Sequence, residues 1–318
     1  MPVSPVCHDA GVDLQHPCFH RLESPGFLHC EVAGLGGIIA QVVELEAGLW
    51  TGNSRVVSAE DNARFGNGGY ALGARAMQIR DRLFEKQQFN EGDFYQLQLD
   101  NQARFLTPWH GLLLEQLKQQ PEHYADYINA LDNWQQCACS TSVGYTLVKM
   151  YRDELINILF SSIEASLNKQ DGTLSYVKRD LEPAVWQLIK AQPASWINPQ
   201  FTNWEQQLQG AFEQTLAQLT AKFGNNIQNW QWGKVNELAI EHPFAKQIPL
   251  LSKLLNMPTA PGFGDSYMPA VQKTSFGASQ RFIAQPGHLE SAILTVPGGQ
   301  SEGSYFVLAN IEGKSCTS

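Results

Sequence analysis

The middle of the chain has the apolar periodicity of helices. Between about residues 71 and 224, apolar side chains recur three and four positions apart with polar ones between them, which is typical of amphipathic helices. The longest predicted helix covers residues 142–167, and two more are predicted over residues 182–191 and 204–223. Gly224 is followed by two asparagines, a typical helix stop, so we predict that the last of these helices ends there.

Shorter helices are predicted earlier in this block. One begins near Ala71, one behind Thr107-Pro108 and one at Pro121. Proline loses nothing at the first helical position, because its missing N–H would have no partner there, and a preceding threonine can accept a hydrogen bond from the first turn. We therefore predict that Thr107 caps the second of these helices.

Short apolar runs broken by Gly and Pro flank the helical block, and they predict strands. They occupy residues 38–43, 49–51 and 56–57 upstream, and residues 230–232, 262–264, 269–272, 276–283 and 293–296 downstream. Strands, then helices, then strands again indicate an α+β fold in which sheets and helices form separate layers.

The composition excludes several classes of protein. With 43% hydrophobic and 17% charged residues among 318, the chain can bury a large core and is not expected to be disordered. Acidic residues outnumber basic ones, 31 to 22, and the net charge of -9 repels phosphate backbones, so we expect no nucleic-acid partner. No apolar run is long enough to span a bilayer, so no membrane partner is expected. The residues after Met1 lack the basic and apolar regions of a secretion signal, so the chain as it stands is predicted to be cytoplasmic.

Several short strings occur in the order in which the penicillin acylase family has them. The first is GLWTGNSRVV at residues 48–57, followed by GYALGARA at residues 69–76 and by Gln98 and Asp100. Further matches are WQWGK (230–234), HP (242–243), GDS (264–266), FGASQR (276–281) and GQS (299–301). Each string is weak alone, but chance does not explain their shared order. The chain therefore resembles the β-subunit of the penicillin acylases, which are N-terminal-nucleophile (Ntn) amidohydrolases.

The resemblance implies an incomplete Ntn-hydrolase αββα sandwich with a helical insertion. In this interpretation residues 1–45 are an atypical segment containing Cys and His, and residues 46–318 form a partial domain like the acylase β-subunit. The insertion is the helical block of about residues 71–224, and residues 227–301 are the strand-rich part.

The implied reaction is hydrolysis of the amide bond of small N-acyl compounds, such as β-lactams or acyl-homoserine lactones. The family's nucleophile is an N-terminal serine whose own α-amino group takes the proton, because a serine hydroxyl is a poor nucleophile at neutral pH. A backbone N–H and an Asn side chain donate hydrogen bonds to the oxyanion of the tetrahedral intermediate. Complete members of the family are exported to the periplasm.

The resemblance assigns two residues to the catalytic site. Asn53 matches the family's oxyanion Asn, and Gly52 stands beside it where the family has Ala. Arg75 matches an Arg that the family places near the substrate, where a planar, permanently charged guanidinium can hold a carboxylate or position a strand. The alternatives are structural: Asn53 starts a turn, and Arg75 is a surface residue at the start of a helix.

The family's nucleophile segment, which resembles S-N-[NS]-W, has no counterpart before Gly48. Neither Ser4 nor Ser24 has its sequence context, and after residue 301 the sequence also departs from the family pattern. We therefore expect a fragment that is inactive alone. Its partners would be the acylase α-subunit, the first part of the β-subunit and a small N-acyl amide substrate.

No cofactor or metal is expected. Glu60 and Asp61 lie near the position of a calcium-ligating Asp in the family, but their spacing to Arg75 differs from the family's. Calcium prefers about six to eight oxygen ligands, and the other ligands that the resemblance implies belong to the part of the family upstream of this match. Arg281 is predicted to be a buried structural residue paired with carboxylate or carbonyl groups, and His242 is predicted to belong to a turn.

Two other functions stay open. The first thirty residues contain ligand types that zinc takes, namely Cys7, His16, Cys18, His20, His29 and Cys30. Their spacing fits no standard zinc finger, so a chance translation of another reading frame also accounts for the cluster. Elsewhere in the chain, Cys137 and Cys139 are too close together for a usual pair of zinc ligands. A small zinc-binding module is one alternative function. A remnant that binds N-acyl ligands without hydrolysing them is the other.

Unpaired strands of an incomplete sheet lead to a testable expectation. Open sheet edges offer unpaired N–H and carbonyl groups to other chains and promote aggregation. We predict low solubility when the chain is expressed alone, measured by size-exclusion chromatography and thermal melting. A monomer that melts cooperatively would contradict this prediction.

Overall fold

The structure is a computed structural model. It describes residues 50–66, 69–242, 244–245, 248, 252–278 and 280–295, and the backbone of three short strands nearer the amino terminus. The chain divides into two compact units, Met1–Gln87 and Gln88–Ser318, which are described separately.

The first unit has strands followed by helices in its described residues. β1 (His20–Arg21), β2 (Phe27–His29) and β3 (Gln41–Val43) form one antiparallel sheet in the order β1-β2-β3. Helices α1 (Ala59–Phe65) and α2 (Ala74–Leu83) follow. β3 confirms the end of the strand predicted over residues 38–43, and the rest of that run lies outside the described residues.

The strands predicted between residues 49 and 57 are wrong where the structure describes them. Residues 50–58 form an irregular loop, and the one sheet-like contact in this described stretch is an isolated bridge from Ser54 to Ala71. The cause is the backbone of Asn53, whose φ of 61° is in the left-handed region. A strand residue does not adopt that conformation, so the extended chain is interrupted there.

Helices account for most of residues 91–223 in the second unit. They are α3 (Glu91–Gln98), α4 (Thr107–Leu117), α5 (Ala125–Asp132), α6 (Val143–Asn168), α7 (Glu182–Ala191) and α8 (Trp204–Phe223). The three long predicted helices are confirmed as α6, α7 and α8. α8 ends at Gly224 as predicted, because that glycine takes a φ of 79°, which favours a residue without a side chain.

The start of α4 differs from the prediction. Thr107 is the first helical residue rather than the cap, and its Oγ1 donates to the carbonyl of Ala103 at 3.4 Å. The 3₁₀ turn Arg104–Leu106 runs directly into the helix, so the chain is already wound before Thr107 and no side-chain cap forms. α2 and α5 begin at Ala74 and Ala125, in both cases later than predicted.

α6 is the central helix of the second unit. It packs against α4, α5 and α8, and its Leu147, Tyr151 and Leu155 are completely buried. Burying one large apolar side chain contributes about 1.5–3 kcal/mol, so the first half of α6 makes a large contribution to the stability of this unit.

The α6 core encloses an ion pair. Arg152 donates to Glu182 Oε2 from Nη2 at 2.6 Å and from Nε at 3.1 Å, and the two side chains are only 5% and 7% exposed. The other Glu182 oxygen accepts the indole N–H groups of Trp109 at 2.6 Å and Trp186 at 3.1 Å. Burial alone lowers the pKa of Arg152, but electrostatic interactions with Tyr267, Glu182 and Asp153 and the hydrogen bonds to Glu182 outweigh it and raise that pKa.

The strand-rich part begins later than predicted. Residues 230–232 form no strand: Trp230 ends the 3₁₀ turn Ile227–Trp230, Gln231 belongs to no regular element and Trp232 begins α9 (Trp232–Val235). Both indole rings are buried, and each N–H has its own carbonyl acceptor: Trp230 Nε1 donates to Gly224 at 2.9 Å and Trp232 Nε1 donates to Gly264 at 2.8 Å.

Two small antiparallel sheets follow the helix α10 (Ser252–Leu255). β4 (Gln272–Lys273) pairs with β5 (Phe276–Gly277), and β6 (Arg281–Gln285) pairs with β7 (His288–Thr295). The strand predicted at residues 262–264 is wrong, because these residues form no regular element. Helices with small antiparallel sheets make the protein α+β, as predicted at that level.

The buried ion pair yields a stability prediction. Glu182→Gln leaves the Arg152 charge buried with only its bond to Asp153, so we expect a loss of about 3 kcal/mol in the free energy of unfolding. The double variant Arg152→Met, Glu182→Gln should lose less, because no charge is left uncompensated while an amide oxygen still accepts from the indoles. Urea unfolding followed by tryptophan fluorescence measures both.

Glu290→Gln is the control, because it disturbs a contact between His288 and Glu290 whose side chains are 59% and 72% exposed, and it should cost less than about 1 kcal/mol. Equal effects of Glu182→Gln and Glu290→Gln would show that the buried pair does not support the core.

Candidate active site

Asn53 and Arg75 lie in direct contact within the first unit. Arg75 Nη2 donates to Asn53 Oδ1 and also, at 2.9 Å, to the backbone carbonyl of Gly52. The two residues stand 22 positions apart in the sequence. The structure thus brings together both residues that the resemblance assigned to the site.

The backbone of the loop presets the Asn53 side chain. The Asn53 carbonyl accepts the N–H of Ala71 at 2.7 Å, and its left-handed φ of 61° is a conformation that Asn tolerates better than most residues. The backbone of the loop is turn-like, as expected if Asn53 only starts a turn. However, Arg75 also holds the Asn53 side chain in one orientation. A turn and a positioned amide are therefore both present at this residue.

Gly52 lets the loop lie against the first turn of α2. A Cβ at this position would be 3.0 Å from the backbone nitrogen of Ala76 and 3.2 Å from its Cβ, which is closer than ordinary van der Waals contact. An alanine, the residue usual in the family, would require the loop or the helix to shift by a few tenths of an ångström. The close approach also places the Gly52 carbonyl within reach of Arg75.

The chemistry of arginine fixes which end of the Asn53 amide is free. A guanidinium donates hydrogen bonds and cannot accept them, so the amide atom that faces Arg75 must be the oxygen. Nδ2 is then the exposed end, and no described residue accepts from it. Because a bond from a cation polarises the amide, the remaining N–H groups become better donors. The arrangement presents the kind of donor that an oxyanion requires.

Arg75 keeps its charge near this donor. It is the second residue of α2, although a positive side chain is unfavourable near a helix N-terminus. Burial lowers the pKa of the Arg75 guanidinium, but its ordinary value is so high that the group stays charged at neutral pH. Arg75 forms no ion pair with a carboxylate in the described part of the chain. Its charge is therefore available to an anion bound beside Asn53.

Of the two residues considered for calcium, Asp61 takes part in capping a helix. The Ser58 hydroxyl donates to Asp61 Oδ2 at 2.7 Å and accepts from the Asp61 N–H at 3.0 Å, which caps α1. Glu60 is exposed in the same turn. Within the residues that the structure describes, no three His, Cys, Asp or Glu side chains come together as candidate metal ligands, and the calcium expectation stays a prediction.

The candidate zinc cluster falls largely outside the described residues. Cys7, His16, Cys18 and Cys30 all lie there. Only the backbone of His20 and His29 is described, and these residues are opposite one another in the β1–β2 pair. The zinc interpretation of this segment stays a prediction.

Of the two residues predicted to be structural, one behaves as expected. His242 Nδ1 accepts the N–H of Phe244 at 3.2 Å, a local bond that belongs to a turn. Arg281 begins β6 opposite Thr295, and burial lowers the pKa of its guanidinium. The predicted pairing of Arg281 is wrong for the described residues, where neither a carboxylate nor a carbonyl accepts from it. Half-burial between strand and helix leaves it desolvated instead.

Sequence reasoning missed a polar cluster in the second unit. Tyr145 Oη donates to Asp265 Oδ2 at 2.8 Å, Lys149 pairs with Asp153, and the Tyr267 ring stacks on Phe105 at 4.2 Å. Burial raises the pKa of both the Tyr145 and the Tyr267 hydroxyls, so both stay neutral. The GDS string was the one signal for it. Because the partners come from α6 and from the loop before β4, spacing along the chain could not reveal the rest.

The pair that seemed too close together is a disulfide. Cys137 and Cys139 are covalently joined two positions apart. A separation of two positions is therefore unsuitable for a usual pair of zinc ligands but still allows a disulfide bond.

A comparison with protein families agrees with this geometry. The family model of penicillin amidase matches residues 46–305. The chain belongs to the penicillin amidase family. The match confirms the resemblance drawn from the short strings, and it includes the loop with Asn53, the helix with Arg75 and all described strands from β4 to β7. No curated protein matches the sequence. In the described part of this penicillin amidase homologue, no helix is both long and apolar enough to cross a membrane.

Three substitutions at Asn53 test what holds the loop. Asn53→Asp keeps an acceptor for Arg75 and tolerates the left-handed backbone, so we expect unchanged or slightly higher stability. Asn53→Ala loses the acceptor and keeps the backbone cost, so it should lose about 1–2 kcal/mol. Asn53→Gly loses the acceptor but relaxes the backbone and should fall between the two. Urea unfolding followed by tryptophan fluorescence gives the order.

Asn133→Ala is the matched control, because Asn133 is exposed and its side chain bonds only to Asn129 among the described residues. If Asn53→Ala were as stable as Asn53→Asp, the contact with Arg75 would not be what fixes the loop.

Proposed function

We propose that the chain takes part in hydrolysis of the amide bond of small N-acyl compounds, with Asn53 as oxyanion donor and Arg75 as the residue that positions it. Membership of the penicillin amidase family supports amidohydrolysis as the reaction class. The observation that carries the assignment of residues is the bond from Arg75 to Asn53 Oδ1, which leaves the exposed amide N–H groups as the free end.

The proposed role follows from where charge develops in the reaction. When a nucleophile adds to the substrate carbonyl, its oxygen becomes an oxyanion and binds a donor more tightly than the ground-state carbonyl does. One preorganised donor of this kind is worth about 3–4 kcal/mol of transition-state stabilisation. Asn53 needs no rearrangement at that moment, because Arg75 and the Ala71 N–H already hold it. The Arg75 charge adds a favourable field.

The nucleophile belongs to the proposal as well. A serine at a free amino terminus, on a segment like the family's S-N-[NS]-W, would attack the amide while its own amine takes the proton. We propose that the serine-bearing start of the β-subunit supplies this nucleophile. Together with the acyl-binding subunit, that segment would complete the αββα sandwich. The 318 residues alone would then be inactive. An assembled complex would work in the periplasm, as complete family members do.

The substrate class is the one that the resemblance implies: a β-lactam or an acyl-homoserine lactone with an apolar acyl group. A second candidate function uses the same observation. An exposed amide donor beside a guanidinium that has no carboxylate partner among the described residues binds a carbonyl or carboxylate whether or not a nucleophile is present. The chain would then bind N-acyl ligands without turning them over.

Reconstitution tests the proposal. The chain is co-expressed with the acyl-binding subunit and the serine-bearing segment of a penicillin amidase, and release from a chromogenic N-acyl anilide is followed. We expect turnover with the wild-type chain, and a fall in kcat of about 10²–10³ for Asn53→Asp and Asn53→Gly with little change in KM. Arg75→Lys should lower kcat less, because one donor to Asn53 Oδ1 can be restored. The matched control Arg64→Lys, at an arginine that is 71% exposed, should have no effect.

The outcomes separate the two candidates. Wild-type kcat in Asn53→Asp would remove Asn53 from the mechanism, since aspartate cannot donate to an oxyanion. Saturable binding of the anilide without turnover in the reconstituted complex would favour the binding function. Acyl release by the chain alone would contradict the need for a second segment.

A further inference from the structure

The disulfide of the second unit joins residues that are nearly adjacent. Cys137 and Cys139 are linked across Ala138, with their Cα atoms 5.1 Å apart. The two residues before the pair, Gln135 and Gln136, both have left-handed φ values, 57° and 50°. Two consecutive left-handed residues other than glycine are unusual, so the surrounding structure holds this turn in a defined shape.

The bond is poorly suited to stabilise the fold. A disulfide stabilises a protein mainly by closing a loop of the unfolded chain, and its effect grows with the length of that loop. The loop closed here contains a single intervening residue, so reduction restores little chain entropy. Hydrogen bonds already anchor the segment: the Ala138 N–H donates to the Asn101 carbonyl at 2.9 Å, and the Ala138 carbonyl accepts from Gly264 at 3.0 Å.

The two sulfurs differ in access and in their hydrogen-bond partners. Cys137 is only 7% exposed, whereas Cys139 is partly exposed, so a thiol in solution meets Cys139 first. Asn101 Nδ2 donates to Cys139 Sγ at 3.4 Å. A hydrogen-bond donor favours the charged form of the group that it contacts, so the thiolate that reduction leaves at Cys139 is stabilised.

We propose that the Cys137–Cys139 disulfide is a thiol-exchange site at which a low-molecular-weight thiol forms a mixed disulfide with Cys139. This assignment is independent of amide hydrolysis. The external thiolate attacks Cys139 Sγ, a new S–S bond forms between them, and the bond to Cys137 breaks with its electron pair left on Cys137 Sγ.

Two courses follow from the mixed disulfide. Cys137 can attack Cys139 Sγ, expel the small thiolate and restore the original bond. Alternatively, Cys137 takes a proton while a second thiolate attacks the sulfur of the first and releases Cys139 as a thiolate, which is then protonated. The sum of the second course is two cysteine thiols and one oxidised small molecule, so two electrons and two protons pass from the small thiols to the protein.

Mass spectrometry of the full chain tests the first step without any substitution. Trypsin cuts after Lys118 and Lys149, and the peptide between them contains Cys137 and Cys139 but none of the other cysteines. The protein is incubated with reduced glutathione, quenched with acid, alkylated with N-ethylmaleimide and digested. We expect an unlabelled, oxidised peptide at the start. A peptide with one glutathione and one maleimide should follow, and then a peptide with two maleimides.

Variants test the asymmetry between the sulfurs. With oxidised glutathione, Cys137→Ser should accumulate the mixed disulfide at Cys139, and Cys139→Ser should form one at Cys137 about tenfold more slowly, because Cys137 is buried. In the Cys137→Ser chain, Asn101→Ala should slow the reaction of Cys139 by about threefold or more. The control Asn133→Ala should leave it unchanged. Reduction of the wild-type chain should shift Tm by no more than a few degrees.

Several results would overturn the proposal. One is a peptide that carries two maleimides before any thiol is added, since no disulfide would then exist. Another is a disulfide that resists glutathione until urea unfolds the chain. Equal reaction rates for the two serine variants would remove the asymmetry. A Tm loss of more than about 10 °C on reduction would make the bond a structural one.

Discussion

Burial of the central helix α6 is the constraint on which the second unit depends. Its first half is enclosed by α4, α5 and α8, so a polar group that it carries is costly to bury without a partner, and the Tyr151 hydroxyl is buried without one among the described residues. Tyr145 finds Asp265, and Arg152 finds Glu182, whose second oxygen takes the indole N–H of Trp109. These partners come from other elements of the chain. Satisfying the polar groups of α6 therefore fixes where α7 and the loop before β4 pack.

Arg152 and Arg75 show how surroundings decide the use of one residue type. Arg152 is bonded to two carboxylates and lies over the rings of Phe105 and Tyr267, so its charge is compensated by groups within the protein. Arg75 donates only to the neutral oxygens of Gly52 and Asn53 among the described residues. Its charge remains uncompensated beside an exposed amide donor. That difference separates a structural arginine from one suited to act on an anion.

The elements that could be predicted from sequence are those whose causes are local. The apolar positions of α6, α7 and α8 recur with the helical period, and Gly224 ends α8, because both effects involve residues within a few positions of each other. Strand predictions failed where a local alternation had another cause. Apolar and polar residues alternate over positions 230–232 as they would in a strand. Yet both Trp residues belong to short helical elements, and each buried indole N–H donates to its own backbone carbonyl. No rule based on spacing distinguishes those two ways of burying a Trp.

The helical framework follows from the amino-acid sequence alone, and the strings shared with a family predict membership of the penicillin amidases and make Asn53 and Arg75 candidates. The contact between these two residues, the left-handed loop at Asn53 in place of a strand, and the bond between Cys137 and Cys139 depend on the folded chain. The reason is physical. Periodicity records which side of an element is buried, whereas the choice of partner depends on which distant segments pack together and on backbone angles that local sequence does not impose.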